Sequence, residues 1–142
     1  MRKITAAFFM SLDGVVESPD KWHFPYFNDE MGAAIGASMA EADALLLGRV
    51  NYQDWAAYWP SSDDEFAGFL NNVPKYVVST TLEEATWNNS TLIKDDVAAQ
   101  ITRLKQQPGK NIAMSGSATL VRWLLENDLL DVLQLMIHPI CL

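Results

Sequence analysis

Apolar runs of strand length alternate along this chain with segments of helical spacing. Ile4-Thr5-Ala6-Ala7-Phe8-Phe9-Met10 reads as a buried first strand, stopped by the turn signal Asp13-Gly14. A polar and aromatic loop follows from Glu17 to Pro25, broken by Pro19 and Pro25. Residues 28–42 place small and apolar side chains three and four apart, the spacing of a helix packed closely on a sheet. Ala44-Leu45-Leu46-Leu47 ends at Gly48 and suits a central strand buried on both faces. A short helix is expected from about Asn51 to just before Pro60. Ser62-Asp63-Asp64-Glu65 has capping-box spacing and predicts another helix running to about Leu70.

The second half repeats the alternation. Lys75 to Ser79 is strand-like, Thr91-Leu92-Ile93 more weakly so, and Asp95 is placed to cap a helix that Pro108-Gly109 ends. Asn111 to Met114 is a strand, Ser117 to Glu126 a helix with Asn127 as its C-terminal cap, and Val132 to Ile137 the last strand. Strands alternating with helices predict one α/β domain over residues 1–142, with a mostly parallel sheet covered on both faces. In such sheets ligands bind beyond the carboxyl ends of the strands.

Composition narrows the classes of partner. The chain has 142 residues, enough for one core, and runs such as Ala44–Leu47 are far too short to span a bilayer. Its N-terminus enters a strand with no signal-peptide pattern, and one cysteine, Cys141, excludes a disulfide framework; a cytoplasmic location is expected. Ten basic against 18 acidic residues leave a net charge of −8, which argues against nucleic acid and anionic membrane surfaces. An anion bound by such a chain must be held by a few local donors.

Three strand ends offer such donors. Gly48-Arg49-Val50-Asn51 opens a helix with a glycine, a guanidinium and an amide; it serves equally as a plain strand-to-helix turn. Ser115-Gly116-Ser117-Ala118-Thr119 makes a small-residue turn into a helix, either a nest for an anion or a simple serine cap. Ser79 and Thr80 place hydroxyls at a third strand end, while Thr81-Leu82-Glu83-Glu84 has the spacing of a cap.

Taken in order, Ser11-Leu12-Asp13-Gly14, Leu46-Leu47-Gly48-Arg49-x-x-Tyr52, Val78-Ser79-Thr80 and Ser115-Gly116-Ser117-Ala118-Thr119 resemble dihydrofolate reductase-like proteins. The branch most similar is the reductase domain of the bacterial riboflavin-biosynthesis bifunctional deaminase/reductase and its stand-alone relatives. The resemblance covers essentially the whole chain, with Leu129-Leu130-Asp131 to His138-Pro139 among its most specific parts. It implies a three-layer fold with a central mixed sheet, and NADPH as cofactor. Gly48, Arg49 and Asn51 would lie against the adenosine phosphate and pyrophosphate, Ser79 and Thr80 near the adenine-side phosphate, and Ser115 to Thr119 would take the pyrophosphate. Arg49 would be the cation that selects NADPH over NADH. Two departures stand out: Asn51 replaces the family's usual Thr, and the chain stops where family members continue through a glycine turn into a further strand or two.

The implied activity is reduction of a small flat heterocycle, of pteridine or pyrimidine type, with a non-catalytic ligand-binding protein of the same fold as the alternative. Asp13, at the border of the implied substrate cleft, is the candidate proton donor, although Asp-Gly is also a common turn dipeptide. Trp22 and Phe27, in the aromatic loop, are candidates to stack the substrate; a hydrophobic lid or a subunit contact would use them as well. His23 and His138 are too far apart in sequence to suggest a metal site, and no metal is expected. A homodimer is expected; the last strand should lie inside the sheet, and if the usual following strand is absent its exposed edge should be paired or covered by a neighbouring chain.

Overall fold

A computed structural model describes residues 1–142. Its elements run in the predicted alternation. Strand β1 (Ile4–Ser11) leads through two short 3-10 turns to helix α1 (Asp29–Ala40), then β2 (Ala42–Gly48), α2 (Arg49–Tyr58), α3 (Ala67–Asn72), β3 (Lys75–Val78) and β4 (Ser90–Ile93). Helix α4 (Val97–Gln106), β5 (Asn111–Ser115), α5 (Ala118–Glu126) and β6 (Val132–His138) complete the chain. The six strands form one sheet in the order β4-β3-β2-β5-β1-β6. Every neighbouring pair is parallel, so the antiparallel member of the implied mixed sheet does not arise within these residues.

Strand alternation sends side chains to two cores, which makes the fold three-layered. Ile4, Ala6, Phe8, Ala44, Leu46, Ile112 and Met114 face Ile101 and Leu104 of α4 and Leu120, Val121 and Leu124 of α5. On the opposite face Leu45, Leu47 and Val77 pack with Tyr52 of α2, Leu70 of α3 and Trp87. The Tyr52 hydroxyl accepts the Trp87 backbone N–H at 2.9 Å, so this tyrosine is both core and hydrogen-bond partner. Beneath it Lys75, fully buried, donates to the carbonyls of Val73 and Asn88 and sits 4.3 Å from the Trp87 ring centre. Burial with no carboxylate partner lowers the Lys75 pKa to about 8.

Three local expectations change. The Ser62–Glu65 signal does not start a helix: Ser62 Oγ accepts from the Asp64 N–H, Asp64 Oδ1 from the Phe66 N–H, and α3 begins only at Ala67. At α4 the N-cap residue is Asp96 rather than Asp95, and Gln100 Nε2 instead donates to the Asp95 carbonyl. The last strand, expected inside the sheet unless a following strand is absent, is the edge of the sheet these residues form: β6 pairs only with β1, and Val132, Leu133, Leu135 and Ile137 are each more than 40% exposed. An apolar strand reads as interior whether or not a neighbour covers it. No helix is long and apolar enough to cross a membrane.

Candidate active site

In a parallel sheet all carboxyl ends lie on one edge, and the order of strands marks a crevice on it. The chain leaves β2 through α2 toward β3, and leaves β5 through α5 toward β6, in opposite directions along the sheet. Since α2 packs on one face and α5 on the other, neighbouring β2 and β5 form the topological switch point. Gly48 ends β2 there and Ser115 ends β5.

Two hydrogen bonds join these ends. Ser117 Oγ accepts the Gly48 backbone N–H at 2.9 Å, and Asn51 Nδ2 donates to the Ser115 carbonyl at 2.8 Å. Gly48, Arg49, Asn51, Ser115, Gly116, Ser117, Ala118 and Thr119 therefore meet at one place, as the sequence suggested. Two of their roles differ from those expected. Ser117 is the N-cap residue of α5, but it sits in the left-handed region at φ 60° and its hydroxyl makes no cap; it crosses to β2 instead. The Gly48 amide is thereby already satisfied, and the free donors are those of the first turns of α2 and α5, which lack intrahelical acceptors.

Electrostatics favour an anion at this point. Neither α2 nor α5 has an acidic residue in its first turn, whereas α1 carries Asp29 and Glu30 there. The positive ends of two helices thus converge without a local carboxylate to neutralise them. The glycines leave backbone open to approach: a Cβ on Gly116, which has φ +80°, would lie 3.2 Å from Asn51 Oδ1. Arg49 is exposed, its Nη1 donating to Gln53 Oε1 at 3.0 Å, one turn further along α2. Ser115, Ala118 and Thr119 are exposed beside it. This donor set fits a dinucleotide: helix N-termini and a glycine turn for the pyrophosphate, and an exposed guanidinium for a ribose phosphate.

Ser79 and Thr80 follow β3, whose Val78 pairs with Gly48, so they flank the same crevice. Ser79 is buried and its Oγ accepts the N–H groups of Thr81 and Leu82, so Ser79, not Thr81, supports this turn; Thr80 is exposed. A concavity of about 510 Å³ lies elsewhere, against Ala56, Pro60, Asn71, Thr86, Trp87 and Asn88. Its amides bond internally, Asn71 to Trp59 and Trp87, Asn88 to Asn71, and no titratable group lines it.

The candidate substrate residues stand at the end of β1. Asp13 is exposed and accepts from Ser11 Oγ at 2.6 Å and from the Leu142 N–H at 3.0 Å. The Ser11 bond first, then that from Leu142, hold its pKa below the usual carboxylate range, so Asp13 at neutral pH is an acceptor of hydrogen bonds rather than an acid. Trp22 is buried, with Nε1 donating to the Glu17 carbonyl at 3.0 Å, and Phe27 is 41% exposed beside α1. The sequence reading missed what lies between them. His23 and His138 are both buried, their ring centres 5.9 Å apart, with Phe9 stacked on His23 at 4.4 Å. The parallel register of β1 with β6 sets Ser11 beside His138, and the loop folding back onto Phe9 brings His23 to it.

Known proteins are similar to this chain. The uncharacterized protein YyaP of Bacillus subtilis (strain 168) is 29% identical over 147 residues, covering 99% of this chain and 77% of YyaP. A crystal structure of a Shewanella sp. PV-4 protein provisionally assigned to riboflavin biosynthesis superposes with a TM-score of 0.77 at 22% identity, covering 99% of this chain and 78% of that one. At that identity the structural match speaks for the fold. The family model of the RibD C-terminal domain spans residues 2–142, and the chain belongs to that family.

Proposed function

We propose that this chain is a reductase that uses NADPH to reduce a small flat heterocycle of pteridine or pyrimidine type. The observation that carries the reading is the switch point itself: two helix N-termini without acidic residues, stitched together through Ser117 and Asn51 around Gly116. Membership of a reductase-type family supports it. The first-turn amides of α2 and α5 would hold the pyrophosphate, and Arg49 would exchange Gln53 for the 2′-phosphate. A bound nicotinamide supplies the hydride. The chain's part is to orient it and to shield the end of β1 from water, where the aromatic loop lies.

A binding protein without turnover is the second reading, favoured by the placement of Asp13, which is exposed and accepts hydrogen bonds from Ser11 Oγ and the Leu142 N–H rather than offering a proton. Thermal unfolding with NADPH, NADH, FMN or no addition tests cofactor binding, because a ligand of the native state raises Tm. NADPH is expected to give the largest rise, and no rise with NADPH would overturn the proposal. Loss of absorbance at 340 nm on adding candidate heterocycles then separates reductase from binder.

A further inference from the structure

Both histidines of this chain are buried in one aromatic cluster where the Glu17–Phe27 segment crosses the carboxyl ends of β1 and β6. His138, the last residue of β6, is 0% exposed, and His23, from the loop, is 7% exposed. Phe9 of β1 lies under them, stacked on His23 with the planes 11° apart and edge-on to His138 at 5.5 Å. Trp22 and Tyr26 of the loop pack on His138 at 5.1 and 6.0 Å, and Phe24 packs on His23 at 4.3 Å. The indole Nε1 of Trp22 bonds within the loop itself, to Glu17, so these ring contacts are what seat the loop on the sheet.

The hydrogen bonds fix the charge state the cluster accepts. His138 Nδ1 is 2.9 Å from the Met136 carbonyl, and a carbonyl only accepts, so Nδ1 carries the hydrogen. Nε2 of His138 then presents a lone pair that no donor meets, and Nδ1 of His23 is likewise buried without a partner. Around the pair the titratable groups are Asp20 and Tyr26 from the loop and each histidine itself. Phe9 and Ser11 from β1 carry no charge, and Asp13 is engaged by Ser11 and Leu142. A proton taken up here would place a cation among rings with no carboxylate bonded to it. Attraction of an imidazolium to the Phe9 face offsets part of that cost. Burial first, then the neighbouring His138, still push the His23 pKa below its ordinary value, against a smaller opposing pull from Asp20.

We propose that His23, packed between Phe9, Phe24 and His138, is a latch that holds the Glu17–Phe27 loop closed while its ring is neutral, and that a proton on His23 releases it. Opening would bare the face of Phe9 and the free Nε2 of His138 beside the end of β1. The device stands on the cluster alone and does not depend on the cofactor reading. The sign follows from linkage: the closed state disfavours the imidazolium, so closure is complete above the ordinary histidine pKa of about 6.5 and weakens below it. For His23 the open-to-closed ratio rises by up to about tenfold per pH unit, until its pKa in the closed state is reached.

The test uses the whole chain labelled with 5-fluorotryptophan, its Trp22 resonance assigned by Trp22→Phe. Between pH 7.5 and 5 that ¹⁹F signal is expected to move with a midpoint below 6.5, in step with the Cε1–H signal of His23. In His23→Phe combined with His138→Gln it should be invariant. A Trp22 signal that stays fixed in the natural chain while His23 titrates would overturn the latch. So would a pH response that persists in the double variant. If the double variant does not fold, the comparison within the natural chain decides: His23 titrating near 6.5 with no change at Trp22 refutes the proposal.

Discussion

Replacing Gly116 by Ala should cost about 1.5–3.5 kcal/mol of stability, and the structure divides that cost in two. Gly116 has φ +80°, where an L side chain carries a penalty of roughly 1–2 kcal/mol. The new Cβ would also stand 3.2 Å from Asn51 Oδ1, closer than an ordinary contact. Asn51 cannot simply retreat, because its Nδ2 holds the Ser115 carbonyl at 2.8 Å; giving up that bond costs about 0.5–1.5 kcal/mol. In an Asn51→Ala background the second cost disappears and Gly116→Ala should lose only the backbone share. Urea unfolding of the four proteins measures the coupling, expected at about 0.5–1.5 kcal/mol. Additive losses would show that the two turns are not mechanically joined. The functional counterpart is Gly116→Val, which should abolish NADPH binding by blocking the backbone; a folded Val variant that binds normally would remove this turn from the cofactor site.

Three further outcomes are expected. Arg49→Ala should weaken NADPH by roughly 1.5–3 kcal/mol, the range for hydrogen bonds to charged groups, and NADH hardly at all; titration calorimetry showing equal losses would clear Arg49 of reading the 2′-phosphate. Lys75, with its pKa lowered to about 8, binds fewer protons folded than unfolded from about pH 8 up to its ordinary 10.5, so its contribution to stability should rise with pH across that window by about 2–3 kcal/mol. Lys75→Met should flatten that rise, and parallel pH–stability curves for the two proteins would refute the assignment. Light scattering at low micromolar concentration should give a homodimer, with the apolar outer edge of β6 as the face expected to pair; a clean 15.9 kDa monomer would refute it.

The alternation of strands and helices was legible because each element's period of burial is local: Ala44–Leu47 needs both faces covered wherever it lies. The meeting of Gly48 with the Ser115–Thr119 turn was half legible, since carboxyl ends of parallel strands share an edge, but not which strands are neighbours. What sequence could not carry was the direction of short polar side chains. Ser117 stands where a helix cap is expected, yet a left-handed backbone turns its hydroxyl to β2. Ser62 and Asp64 satisfy each other's neighbours and delay a helix that their spacing announces. Asp13 carries the right chemistry for an acid, but Ser11 and Leu142 hold its proton off. His23 and His138 gave no local signal, because their proximity exists only through the β1–β6 register and the folding of the 17–27 loop onto Phe9.

The strand order also sets a timetable for synthesis. β2, β3 and β4 are consecutive in the chain and adjacent in the sheet, so their pairings can close as soon as residue 93 is made. β1 is made first, yet its only partners are β5 and β6, the last two strands. Its run Ala6-Ala7-Phe8-Phe9-Met10 must wait, unpaired, for more than a hundred residues before Asn111–Ser115 and Val132–His138 close around it. Closing so long a loop is slow, and an apolar strand left open meanwhile is prone to the wrong neighbours. Of the six strands the earliest made is thus among the last to be paired, and β1 is the segment a holding chaperone would be expected to meet.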